Sequence, residues 1–179
     1  MLYVFGFNRL GVVLSDLYFV DPQPARGQEG AERGVRIEVR YMSRDHRGGS
    51  VYASQPIGVD EPIWRIDLLE SVDHPGSLDR AHHHPRMTNW EPGNRKFVPA
   101  LSADPLGWLQ TRLEDFGGVL DDCGVARAEI DDDEIAQLQA SAPEIVDAAR
   151  RLLEGVADGD LAREPEATTA GAIVRESWL

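Results

Sequence analysis

Apolar and polar positions alternate through the first half of the chain and recur at helical spacing through the second. "LYVFGF" and "VVLSDLYFV" are short apolar, β-branched and aromatic runs separated by Asn8 to Gly11. Such runs predict strands, and Asn and Gly supply turn chemistry between them, so the pair reads as a hairpin. In "VRIEVRYM", Val35, Ile37, Val39 and Tyr41 share one face and Arg36, Glu38, Arg40 and Met42 the other. That period of two predicts a strand with one buried face. The turn "SRDHRGG", residues 43–49 with His46 at its tip, leads into "SVYASQPI", a shorter partner strand weakened by Pro56. After the loop "GVDEP", the run "IWRIDLLE" sets Trp64, Ile66 and Leu68 against Arg65 and Asp67. It predicts a central strand with a charged pair on its second face.

From Ser102 the period changes. Ser102 or Asp104 as a cap, Pro105 in the first turn, and Leu106, Leu109, Leu113 and Phe116 at helical spacing predict a helix that stops at Gly117 and Gly118. The acidic run 131–134 opens a short helix, and after Ser141 and Pro143 a longer one carries Ile145, Ala148, Ala149, Leu152 and Leu153 on one side. Strands followed by helices predict an α+β fold, an N-terminal antiparallel sheet of about five to six strands packed against C-terminal helices. The expected boundaries are one domain over 1–160, with 1–100 mostly strands and 101–160 mostly helices. Residues 161–179 are expected as a flexible acidic tail with an apolar end. The loop 21–34, rich in Pro, Gly and charge, reads as a surface loop.

Composition narrows the function classes. The formal net charge is −13, which disfavours nucleic acid as a partner because phosphate neutralisation needs a basic face. Acidic and basic residues nearly balance in residues 1–100, and the acidic excess falls in 101–179. Around the histidines, Arg80, Arg86, Arg95 and Lys96 face few acids, so an anionic small-molecule substrate would be attracted there. Cys123 is the one cysteine and excludes an intramolecular disulfide and a four-cysteine zinc ribbon. Its acidic neighbours argue for an inert thiol. No basic segment precedes the apolar opening run, and charged residues interrupt it, so the expectation is a cytoplasmic chain with no membrane partner. One lysine beside many arginines suggests a GC-rich bacterial genome. Neither a nucleotide-cofactor fingerprint nor a nucleophile elbow is present.

The stretch "SLDRAHHHPRM" carries the candidate chemistry. In an extended segment His82 and His84 point together and His83 opposite. Two imidazoles on one face and a carboxylate are a ligand set for a divalent transition metal, zinc, manganese or iron. His82, His84 and Asp79 are the candidate metal ligands. Asp67, His74 and Arg65 are candidate catalytic residues, and Arg86 and Trp90 candidate ligand-binding residues. If residues 80–85 pair antiparallel with 63–70, Asp67 or Glu70 lies across from the histidines, and His74 or Asp79 reaches in from the loop. Trp90 stands out because "MTNWEPGNRKF" is a polar loop with no periodicity that calls for a large aromatic. A solvated turn or metal-free acid and base chemistry would use the same histidines. Two function classes follow. One is a small metal-dependent enzyme of hydrolase or lyase type acting on an anionic small molecule. The other is a non-enzymatic interaction or regulatory protein whose partner binds the acidic helices or the C-terminal tail.

Overall fold

The computed structural model describes residues 1–45 and 48–165. The arrangement is α+β. Strands β1 (Leu2–Gly6), β2 (Leu10–Val20), β3 (Ala31–Arg44), β4 (Ile57–Ser71) and β5 (His82–His84) form an antiparallel sheet in the order β1-β2-β3-β4-β5. A two-stranded ribbon, β6 (Met87–Thr88) and β7 (Glu91–Pro92), follows. Helices α1 (Pro99–Ala103), α2 (Pro105–Glu114), α3 (Phe116–Cys123), α4 (Asp132–Ala140) and α5 (Ala142–Ala157) complete it.

The alternation in β3 and β4 sorts the sheet into an apolar face and a charged one. Val35 pairs with Leu68, Ile37 with Ile66 and Val39 with Trp64. These side chains are buried with Leu109, Leu113, Phe116, Leu120, Ile145, Ala148, Ala149 and Leu152 of the helices in one core cluster. Each such burial stabilises by about 1.5–3 kcal/mol. Alanines at 148 and 149 let α5 lie close over β2 and β3. On the other face Arg36 pairs with Asp67 and Glu38 with Arg65.

Several local expectations need revision. Residues 50–56 lie outside the strands, with exposed Val51 and Tyr52 in a turn, and β4 begins at Ile57 and runs through the stretch expected as a loop. Pro62 is tolerated there because the register shifts around Arg40, and the Nε of Arg40 donates to the Asp60 carbonyl at 2.8 Å. Gly117 and Gly118 lie inside α3 and do not end a helix. The break falls at Asp115, whose carboxylate occupies the space a Cβ at Gly118 would need, and Gly124, at φ 75°, ends α3. His46, expected at the hairpin tip, lies outside the described residues, as do residues 166–179 of the expected tail. The start of that tail is docked: Ala162 is buried, and its N–H donates to Asp16 Oδ2 at 2.8 Å. Among the described residues no helix is long and apolar enough to cross a membrane.

Candidate metal centre

Strand β5 is three residues long, and each of them is a buried histidine. The register places His82 beside Asp67 and His84 beside Arg65, with His83 opposite Ile66 on the core face. His83 accepts a hydrogen bond at Nδ1 from the indole Nε1 of Trp64 at 3.2 Å and packs edge-on against Trp108, with centroids 5.1 Å apart. Burial, with Lys96 and Arg112 nearby, pushes its pKa down to about 4, so it is a neutral core residue at neutral pH.

His82 and His84 face the charged side with Asp67. The Nε2 atoms of the two histidines are 3.1 Å apart, and Asp67 Oδ2 lies 3.4 Å from His82 Nε2 and 3.7 Å from His84 Nε2. The outer ring nitrogens are both committed. His82 Nδ1 donates to the Arg80 carbonyl at 2.6 Å and His84 Nδ1 to the Gly93 carbonyl at 2.7 Å. A carbonyl only accepts, so Nδ1 carries the proton in each ring and the Nε2 lone pairs of the neutral tautomers point at each other and at a carboxylate. Three acceptors meeting at one point require a proton or a cation between them. The point equidistant from all three atoms lies about 2.0 Å from each, the length of a zinc–imidazole or zinc–carboxylate bond. Metal-bound histidines commonly give the proton of the other ring nitrogen to a backbone carbonyl, as both rings do here. This buried group could hold a metal ion.

Asp67 is ionised. Burial pushes its pKa up, but the Arg36 guanidinium beside it outweighs that and holds it well below the ordinary carboxylate value. Arg36 binds it with both forks, Nε to Oδ1 at 2.8 Å and Nη2 to Oδ2 at 3.1 Å. The Phe97 ring, itself exposed, lies 5.4 Å from that of His82.

Beside this group is a cavity of about 500 Å³ lined by Arg36, Glu38, Arg40 and Arg65 at its floor and by Leu2, Val4, Val13, Val59, Pro62 and Trp90 around them. Glu38 accepts from Arg65 Nε at 2.6 Å and from Arg40 Nη1 at 2.8 Å. Trp90 stands at the tip of the β6–β7 ribbon, beside Asn89 at φ 55°, and lies over Arg40, with the guanidinium carbon 4.9 Å from the ring centroid.

The other sequence candidates stand apart from the three-atom group. Asp79 accepts from the Ser71 N–H at 2.9 Å and from Ser77 Oγ at 2.8 Å, holding the turn between β4 and β5. Exposed His74 sits 3.7 Å from it in the same turn. The guanidinium of Arg86 lies against Gly124 at the end of α3, on the helical side. Glu70 points to the core-side rim and pairs with Arg33 at 3.0 Å. Burial and Asp122 push the Cys123 thiol up to about 12, so it is inert. Arg36, Glu38 and Arg40 belong to the site without being among the residues expected there. Their signal lies in the order of charges: Arg36 and Glu38 on one strand complement Asp67 and Arg65 on an antiparallel neighbour.

No protein-family model, curated protein or solved structure matches the chain.

Proposed function

We propose that the chain is a metal-dependent enzyme of hydrolase or lyase type, in which Asp67, His82 and His84 hold one divalent transition metal and an anionic small molecule binds in the adjoining cavity. The observation that carries this reading is the meeting of three ligand atoms, two imidazole Nε2 atoms whose rings give their Nδ1 protons to backbone carbonyls and one oxygen of the Asp67 carboxylate. Two imidazoles and a carboxylate suit zinc, iron or manganese and leave coordination positions open. A metal there would polarise a substrate oxygen or lower the pKa of a bound water toward neutrality. Arg36 fixes the carboxylate, the Arg80 and Gly93 carbonyls fix the rings, and Arg65, across the ladder from His84, is available to the substrate. The other reading, a non-enzymatic interaction or regulatory protein acting through its acidic helices or C-terminal tail, has no specific observation in its favour among the described residues.

Elemental analysis of untagged protein purified without chelator tests the proposal. The expected result is about one equivalent of zinc, iron or manganese per chain, falling below about a tenth in a His82→Ala, His84→Ala double variant. Wild-type protein that stays below about a tenth of an equivalent after dialysis against each metal would contradict it.

A further inference from the structure

We infer that the cavity on the charged face of the sheet binds an amphiphile with one anionic head and a compact apolar body, the head at Arg65 and the body against Val4 and Val13. This rests on the metal-enzyme reading for its consequence, since it names the substrate class, but the binding itself uses different residues.

The charge layout selects the head. Glu38 is a single buried carboxylate shared between buried Arg40 and half-buried Arg65, so the three groups carry one positive charge in excess. Arg36 adds nothing to that excess because Asp67 neutralises it. Only Nε of Arg65 is engaged: among the described residues its two terminal nitrogens make no hydrogen bond, and its side chain is 13% exposed, all of which leaves a forked donor facing the cavity. A forked donor in a site of low dielectric recognises a carboxylate or similar oxyanion. The acids Asp60 and Glu61 line a neighbouring depression that shares Trp90, and neither is among the residues that line this cavity.

The walls select the body. Leu2, Val4, Val59 and Trp90 are each between 41% and 56% exposed, and all four border this cavity. Exposed large apolar side chains gathered around one concavity mark a binding site. An inorganic anion would satisfy Arg65 and leave these side chains wet. A neutral hydrocarbon would cover them and strip water from the guanidinium without replacing it, which is unfavourable. A molecule that is apolar at one end and anionic at the other meets both demands, and the volume of about 500 Å³ falls in the range of small-ligand sites. Because Arg65 is the cross-strand partner of His84, the anionic head would rest beside the proposed metal and the apolar body would extend toward β1.

Calorimetric titration of the full chain with octanoate, octan-1-ol and acetate tests this, with metal content measured on the same samples. Octanoate is expected to bind at least about ten-fold more tightly than either partial mimic, and Arg65→Gln and Val4→Glu are each expected to weaken it about ten-fold. Val4 is exposed, so its variant should keep the wild-type melting temperature. Equal binding of all three probes, no octanoate binding, or unchanged binding in both variants would overturn the inference. So would a dimer in sedimentation that Val4→Glu dissociates and octanoate does not, because a second copy would then cover the mouth. Octanoate binding without stoichiometric metal would sink the enzyme reading alone. Metal without octanoate binding would sink this inference alone.

Discussion

His83 and its two neighbours occupy different solvents although they are consecutive in the chain. The strand turns His83 into the core against Trp64 and Trp108, and turns His82 and His84 toward Asp67. The consequence for His83 is a stability that depends on acid. Its folded pKa of about 4 lies below the ordinary 6.5, so between those values the unfolded chain binds the proton more readily. Its contribution is whole above about pH 6.5 and is lost as the pH falls toward about 4. Urea midpoints at intervals from pH 7.5 to 4.5 should therefore drop in the wild type and drop less in His83→Gln, which still accepts from Trp64. An identical decline in both would remove His83 as a cause. The histidine triplet was divisible from sequence because strand alternation needs no long-range information. The identity of the carboxylate was not. Asp79 is nearer in the chain, but the turn consumes it, and the ladder brings in Asp67.

At the level of elements, the site depends on the β3–β4–β5 register. Gly34 enables it locally: at φ 150°, its missing Cβ would lie 2.1 Å from the Leu68 carbonyl oxygen. Gly34→Ala should therefore destabilise the chain by roughly 2–4 kcal/mol and displace the Arg36–Asp67 pair two residues on. Equilibrium denaturation measures the first effect. A midpoint within experimental error of wild type would contradict the role given to Gly34. Another tie joins the layers: buried Glu134 of α4 accepts from the N–H groups of Arg9 and Leu10 at 2.5 and 2.6 Å. Glu134→Ala leaves those two donors without this acceptor and should cost about 1–3 kcal/mol in the same assay. Strand alternation and the helical period made the order of layers legible in the sequence. The failures fell where tertiary contacts override local signals. Val51 and Tyr52 have strand propensity but no sheet face to cover them, and Gly117 and Gly118 sit inside a helix, Gly117 buried in it and Gly118 beside the Asp115 carboxylate.

Over the whole molecule, the two faces of one sheet have separate tasks. One face carries the packed core, and the other holds arginines and carboxylates beside a cavity, with three ligand atoms next to it. A face built this way should gain stability from metal, because an ion that binds only the folded chain shifts the folding equilibrium. Free zinc at a hundred times its Kd should add about 2.7 kcal/mol, raising Tm by roughly 5 to 10 °C, with under about 1 °C in the His82→Ala, His84→Ala variant. The same increment in both proteins would assign the metal to another site. The net charge of −13 argued against nucleic acid from the sequence, yet it concealed a cavity floor rich in arginine, because the acids that dominate the sum lie mostly in residues 101–179.

X-ray absorption at the zinc edge on the zinc-loaded, untagged protein decides whether the imidazoles of His82 and His84 and the carboxylate of Asp67 bind one metal ion. The expected spectrum has nitrogen and oxygen only at about 2.0 Å around the zinc, with outer scattering from two imidazole rings that disappears in the His82→Ala, His84→Ala variant. A sulfur at about 2.3 Å, or a shell without imidazole scattering, would contradict it.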